Sequence, residues 1–248
     1  MAGVARTHPL PRHGALSPRV ELAARKLAAG EPVLVFDAPS REGETDLVQL
    51  AERVTPEAVE RLRREAGGFI CVTFPDELRR RLGLPFLSDL YRAQPDGQSV
   101  LPHLVPETFK YDRRSPFGIL VNHRETYTGI PDADRALTIR ALGQFVRDGP
   151  SLSDSELRER FLREFQAPGH VALLHPAAQL LRERRGHTEL SGTLAELAGV
   201  PAALVLCEML GRDGRALPPK AAEAVAKRHG WAFVEGEEIV EAWSRWSA

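Results

Sequence analysis

Short apolar runs alternate along this chain with stretches of helical periodicity, and the order of the two predicts most of its elements. Leucine and alanine recur at helical spacing from Arg19 to Ala29 and stop at Gly30, after which Pro32 to Phe36 reads as a strand. The charged stretch "SREGETD" is then a strand-end loop, and Leu47 to Leu50 returns as strand. Thr55 and Pro56 form a cap followed by proline in the first helical turn, and this helix closes near Gly67 and Gly68. Phe69 to Phe74 is a third strand, with a short helix behind it that ends near Gly83. Positions 92 to 116 show little periodicity and read as a long surface excursion. Phe117 to Val121 is a fourth strand, running into the polar loop "NHRETYTGIPDAD", where Asp132 caps a helix to Val146. Beyond it come a charged helix between Asp148 and Ala167, a strand from Val171 to Leu174 and a helix opening at "GHTEL". A strand from Ala202 to Cys207, a helix from Pro218 to His229, a strand from Trp231 to Val234 and a tail helix complete an alternating α/β chain.

Composition narrows the function classes. The 248 residues are 43% hydrophobic, enough for a substantial core, and we expect one domain over residues 17–248 with a loose extension at 1–16. A formal net charge of -1 gives no bulk attraction to nucleic acid or to an anionic membrane, so neither is expected as a partner. No apolar run reaches the roughly 20 residues of a membrane span, and the first residues lack the apolar centre of a signal peptide; the expectation is a cytoplasmic protein. Cys71 and Cys207 are the chain's two cysteines, which excludes a disulfide framework and a cysteine-rich zinc site. Any metal must be held by harder ligands.

The candidate chemistry stands in polar loops beside the apolar strands. "SREGETD" gathers three carboxylates and an arginine around Gly43, which is either a solvated turn or a ligand site. In "RERRGHTEL", a glycine precedes His187 and Thr188 at a helix start, where free N–H groups favour an anion and Arg184 adds a bidentate donor; capping alone also explains the pattern. His170 follows a proline-glycine turn at a strand start. Glu208 ends a strongly apolar run, so its carboxylate needs a partner unless it leaves for solvent. "TYTG" offers hydroxyls beside a glycine, suited to a sugar or phosphate and equally to an ordinary turn.

Taken in order, "REGETD", "VNHRETYTGIPDADRALTI", "APGHV", "RRGHTEL" and "LCE" closely resemble 3,4-dihydroxy-2-butanone-4-phosphate synthase of riboflavin biosynthesis, from about Ala24 to Phe233, in its archaeal-type form. The resemblance implies a three-layer α/β fold with a mixed, twisted sheet flanked by helices. It implies conversion of D-ribulose 5-phosphate to L-3,4-dihydroxybutan-2-one 4-phosphate and formate, with Mg2+ or alternatively Mn2+, in a homodimer. Carried over residue by residue, Glu42 and His187 are the metal ligands and also meet the substrate. Arg41, Asp46 and Thr128 are substrate contacts, while Arg184, Arg185, Gly186 and Thr188 match the phosphate-binding stretch. Glu44 is placed to shuttle protons or organise water, Cys71 lies near the site, and His170 and Glu208 match the essential acid/base positions. This chain departs from the family pattern at Gly118, at Pro176 to Ala178, at Leu190 and in a longer stretch from Asp148 to Phe165. The cysteines of a fused GTP cyclohydrolase II domain are absent, so a monofunctional synthase is expected. The alternative is a phosphosugar-binding or assembly protein that has kept the fold and lost turnover. Threonylcarbamoyl-adenylate synthases share the broad fold but lack the "REGE" and "RGHTE" signatures.

Overall fold

The computed structural model of the chain describes residues 16–95 and 97–247; apart from Leu16, the expected extension at 1–16 lies outside them. The chain opens with α1 (Pro18–Ala28), β1 (Val33–Phe36), β2 (Thr45–Leu50), α2 (Pro56–Arg61) and β3 (Cys71–Thr73). Three short helices follow, α3 (Asp76–Leu82), α4 (Leu87–Arg92) and α5 (Leu101–Leu104), and then β4 (Phe117–His123), α6 (Asp132–Asp148), α7 (Asp154–Glu164) and β5 (Phe165–Leu174). The last part is α8 (His187–Ala198), β6 (Leu204–Glu208), α9 (Pro219–His229), β7 (Ala232–Glu235) and α10 (Gly236–Trp246). No helix among the described residues is long and apolar enough to cross a membrane.

The strands form one mixed sheet in the order β4-β5-β3-β6-β2-β1-β7. β1 with β7 and β3 with β5 are parallel, and the other neighbours are antiparallel. Because side chains alternate across a strand, each strand feeds two cores. Leu34, Leu47, Val72, Val205 and Cys207 pack on one face with residues of α2, α6, α7 and α9. Val33, Val35, Val48, Leu204 and Leu206 pack on the other with α1, α8 and α10. This is the three-layer arrangement expected, and burial on both faces explains why the strands read as continuous apolar runs.

Where the observed elements differ from the sequence reading, polar pairing is the cause. β2 begins at Thr45, two residues before its apolar run, because Thr45 and Asp46 pair with Phe36 and Val35 while Asp46 also faces Glu208 on β6. β3 is shorter than expected because the Gly68 and Phe69 N–H groups turn to Glu208 instead, at 3.0 Å to its carbonyl and 2.7 Å to its carboxylate. β5 starts at Phe165 because Phe165 and Gln166 pair with His123 and Asn122 of β4. The excursion contains α5 and begins where α4 ends, and Asp132 is the first residue of α6 behind Pro131, bound to Arg63 at 2.6 and 2.8 Å.

Two family departures are absorbed by neighbours. A β-carbon at Gly118 would stand 2.2 Å from His175 Nε2, so the buried imidazole takes the space a side chain would need. Leu190 packs against Gly236, where a β-carbon would come within 2.9 Å of Leu190 Cδ1. His175 is 1% exposed, and burial, with Arg79 and Arg114 nearby, pushes its pKa down from 6.5 to about 4. The folded imidazole therefore stays neutral where the unfolded one takes a proton, so stability is full above pH 6.5 and falls as pH drops from there to about 4. The loss expected is about 3 kcal/mol by the bottom of that window. Urea unfolding at pH 7 and pH 4.5 measures it against His175→Leu, whose curve lacks this component; equal pH dependence in both proteins contradicts the assignment.

Candidate active site

The β1–β2 hairpin carries "REGETD", and one buried residue sets its shape. Asp37, 4% exposed, accepts the Glu42 N–H at 3.0 Å and the Glu44 N–H at 3.1 Å. Gly43, at φ 69°, makes the turn between them, a conformation that favours glycine. The sequence reading missed Asp37; its position at the C-terminal end of an apolar strand is the signal that could have found it. With this loop closed, Glu42 and Glu44 turn toward the middle of the sheet, where register sets Asp46 opposite Glu208.

The third wall comes from α8. His187, its first residue, brings Nδ1 to 3.3 Å from Glu42 Oε2 and Nε2 to 3.1 Å from the Glu44 carbonyl and 3.7 Å from Asp46 Oδ1. A cavity of about 380 Å³ opens over these groups. Arg41, Glu42, Glu44 and Asp46 line it from the hairpin, Arg184, His187 and Thr188 from the α8 start, and Cys71 and Glu208 from β3 and β6. Thus nine residues expected at the site from separate parts of the chain meet in one place. Tyr111 and Asp112, from the irregular segment before β4, were not expected and also line it.

Four expected residues do not line this cavity. Gly186 lies beneath Arg184, where a β-carbon would be 2.2 Å from the guanidinium Nη1, and Arg185 points into a neighbouring surface cleft. His170 and Thr128 stand elsewhere, on the outer β4–β5 edge. Asn122 joins them: its Oδ1 accepts the His170 N–H at 2.8 Å, its Nδ2 lies 3.2 Å from His170 Nδ1, and it donates to the Thr128 carbonyl at 3.4 Å. Both residues are exposed. Within one chain, the expected acid/base pair of His170 and Glu208 is therefore not assembled.

Electrostatics in the cavity are dominated by crowded carboxylates. Burial, reinforced by Glu208, Glu42 and Glu44 against the opposing charge of His187, raises Asp46 to about 7. Burial, with Glu42, Glu208 and Asp37 close by, also raises Glu44. Glu42 moves the other way: burial opposes it, but the hydrogen bond and charge of His187, with Arg184 and Arg41, hold it below its ordinary range. Burial disfavours a charged His187, yet Asp46, Glu42 and Asp37 outweigh it and raise the imidazole to about 10. Cys71 is raised well above its ordinary value by burial, with Glu208 and Asp46 adding to it. Its thiol stays protonated where it lines the cavity wall.

The donor set fits a hard divalent cation. Asp37, Glu42 and His187 each offer a ligand atom, all within 4.8 Å of one another. Asp46 Oδ1 is buried with no hydrogen-bond partner, and the acidic groups that hold a proton on His187 attract a cation equally well.

Comparison with known proteins agrees with this geometry. The family model for 3,4-dihydroxy-2-butanone 4-phosphate synthase matches residues 21–242. The synthase of Methanosarcina mazei is 46% identical over 231 residues, covering 92% of each chain. That of Archaeoglobus fulgidus is 42% identical over 223 residues, covering 89% of this chain and 92% of its own. Among solved structures, a synthase in complex with two magnesium ions superposes with a TM-score of 0.66 at 30% identity, over 88% of this chain and 92% of that one. The Candida albicans synthase gives 0.67 at 30% identity, over 91% and 97%. On the match of sequence, fold and an acid-lined cavity, the chain belongs to the 3,4-dihydroxy-2-butanone 4-phosphate synthase family.

Proposed function

We propose that this enzyme of riboflavin biosynthesis works on D-ribulose 5-phosphate in the cavity over Glu42 and His187, as a cytoplasmic homodimer with residues 17–248 as one catalytic unit. The observation that carries the reading is the convergence of Glu42, Glu44, Asp46, Glu208 and His187 beside Arg184 and Thr188. A phosphate on Arg184, Thr188 and the α8 N-terminus leaves the ketose carbons over the carboxylates. Glu42 and His187, with Asp37 behind them, are the groups to hold magnesium, as the donor set permits and as a related synthase does. When bound, magnesium supplies Lewis acidity to the ketose oxygens, easing loss of the C1 proton.

The residues then divide by proton affinity. Asp46, raised to about 7, exchanges its proton near neutral pH, Glu44 beside it is also raised, and Glu208 faces Asp46 across the β2–β6 pairing. The chemistry needs such groups at each stage: removal of the C1 proton, loss of the C1 hydroxyl as water, a skeletal shift, and return of water so that C4 leaves as formate. Arg41 lies at the cavity wall as a further cation for the substrate's oxygens. His170 and Thr128 lie outside it, so in this reading they act from a second copy of the chain.

A binding protein without turnover is the weaker reading. None of Gly118, Pro176, Ala177, Ala178 or Leu190 lines the cavity, so the departures from the family pattern remove none of its lining groups. The test is formate release from D-ribulose 5-phosphate by purified protein, with magnesium and then with a chelator. Magnesium-dependent formate is expected; substrate binding without formate would establish the binding protein instead.

A further inference from the structure

Arg184 is surrounded by three carboxylates, and they are not equivalent. Glu189, in the first turn of α8, is 0% exposed and divides its two oxygens between fixed partners. Oε2 accepts from Arg184 Nη1 at 2.6 Å, and Oε1 accepts the Ala177 N–H at 2.9 Å. The guanidinium is further confined by Gly186, whose missing side chain leaves room for it. Its remaining Nε donates to Asp112 Oδ2, which also accepts from Arg41 Nη2 at 3.1 Å. Glu42 Oε1 is more distant, at 3.9 Å from Nη2. Asp112 comes from the irregular chain between α5 and β4, and its side chain lines the cavity, whereas Glu189 does not. A carboxylate bridging two arginines at the cavity wall presents the charge and paired oxygens that a phosphate would present.

We infer that Glu189 is a positioning residue that keeps the Arg184 guanidinium aimed at the cavity, and that Asp112 holds the place the substrate's phosphate takes. This rests on the reading of Arg184 as a phosphate ligand. Phosphate binding exchanges one anionic partner of Arg184 for another, while the Glu189 pair and the Ala177 bond stay made. The exchange keeps the arginine paired in both states, so its charge is never buried alone.

The two carboxylates therefore have opposite expected effects. The test measures KM and kcat for D-ribulose 5-phosphate, the inhibition constant of inorganic phosphate, and thermal unfolding, in Glu189→Gln, Asp112→Asn and Arg184→Ala. Glu189→Gln keeps an oxygen for Ala177 but loses the charge on Arg184; it is expected to raise KM and the phosphate constant about tenfold with much less change in kcat. Asp112→Asn is expected to lower the phosphate constant, because the competing charge is gone. A destabilised Glu189→Gln with wild-type KM and phosphate constant would make Glu189 structural only and overturn its positioning role. An Asp112→Asn protein that binds phosphate more weakly would make Asp112 an ally of the ligand and overturn the exchange. Unchanged constants in Arg184→Ala would remove the underlying phosphate assignment, a failure separable from the other two.

Discussion

Glu42→Gln and His187→Asn are each expected to abolish magnesium-dependent formate release while the protein remains folded. His187, Arg184 and Arg41 hold Glu42 below its ordinary range, so it carries its charge at neutral pH and offers that charge to a cation. His187 stands between Glu42 and Asp46, and neither neighbouring carboxylate can replace its nitrogen. Loss of the group that organises charge in the transition state is worth about a thousandfold in rate. Folding should survive because Glu42 is only partly buried, and removing its charge relieves the repulsion that raises Glu44 and Asp46. Formate production and thermal unfolding of the purified variants check both statements. Wild-type activity in either variant would refute the ligand assignment.

The same cluster shows what a sequence can reveal and what it hides. Glu42, Glu44, Asp46, His187 and Glu208 were recognisable because each stands at a strand end or a helix start, where local pattern exposes a polar group. The family motifs assign them to one site without the sheet order. Asp112 was not recognisable: it lies in a stretch without periodicity, and its partners Arg41 and Arg184 are 71 and 72 positions away. Glu189 resembles an ordinary acidic residue in a helical first turn until tertiary packing removes it from water. The polar starts of β2 and β5 were hidden for a related reason. Pairing of Thr45 and Asp46 with β1, and of Phe165 and Gln166 with β4, carries each strand past its apolar run, and pairing leaves no periodicity to read.

His170→Ala and Glu208→Gln are each expected to lower turnover by about a hundredfold or more, as loss of a general acid or base does, and co-expression of the two is expected to restore part of the activity. Glu208 lines the cavity, while His170 is exposed on the outer β4–β5 edge of the sheet and tied through Asn122 to Thr128. A two-fold dimer lets a second copy present His170, because each copy then gives and receives the same β4–β5 edge. In a mixed dimer, one site receives intact His170 from the Glu208→Gln copy and intact Glu208 from the His170→Ala copy. The other site carries both substitutions. With random pairing, half of the dimers are mixed and half of their sites are whole, so about a quarter of wild-type activity should return. The apolar side chains of Tyr127 and Ile130, exposed on the loop that carries Thr128, supply surface for such an interface. Steady-state formate release from the co-expressed variants, set against each variant alone, decides between the arrangements: a mixture as inactive as its components would mean that His170 serves its own chain, and the β4–β5 edge would have to reach the cavity by moving within one subunit.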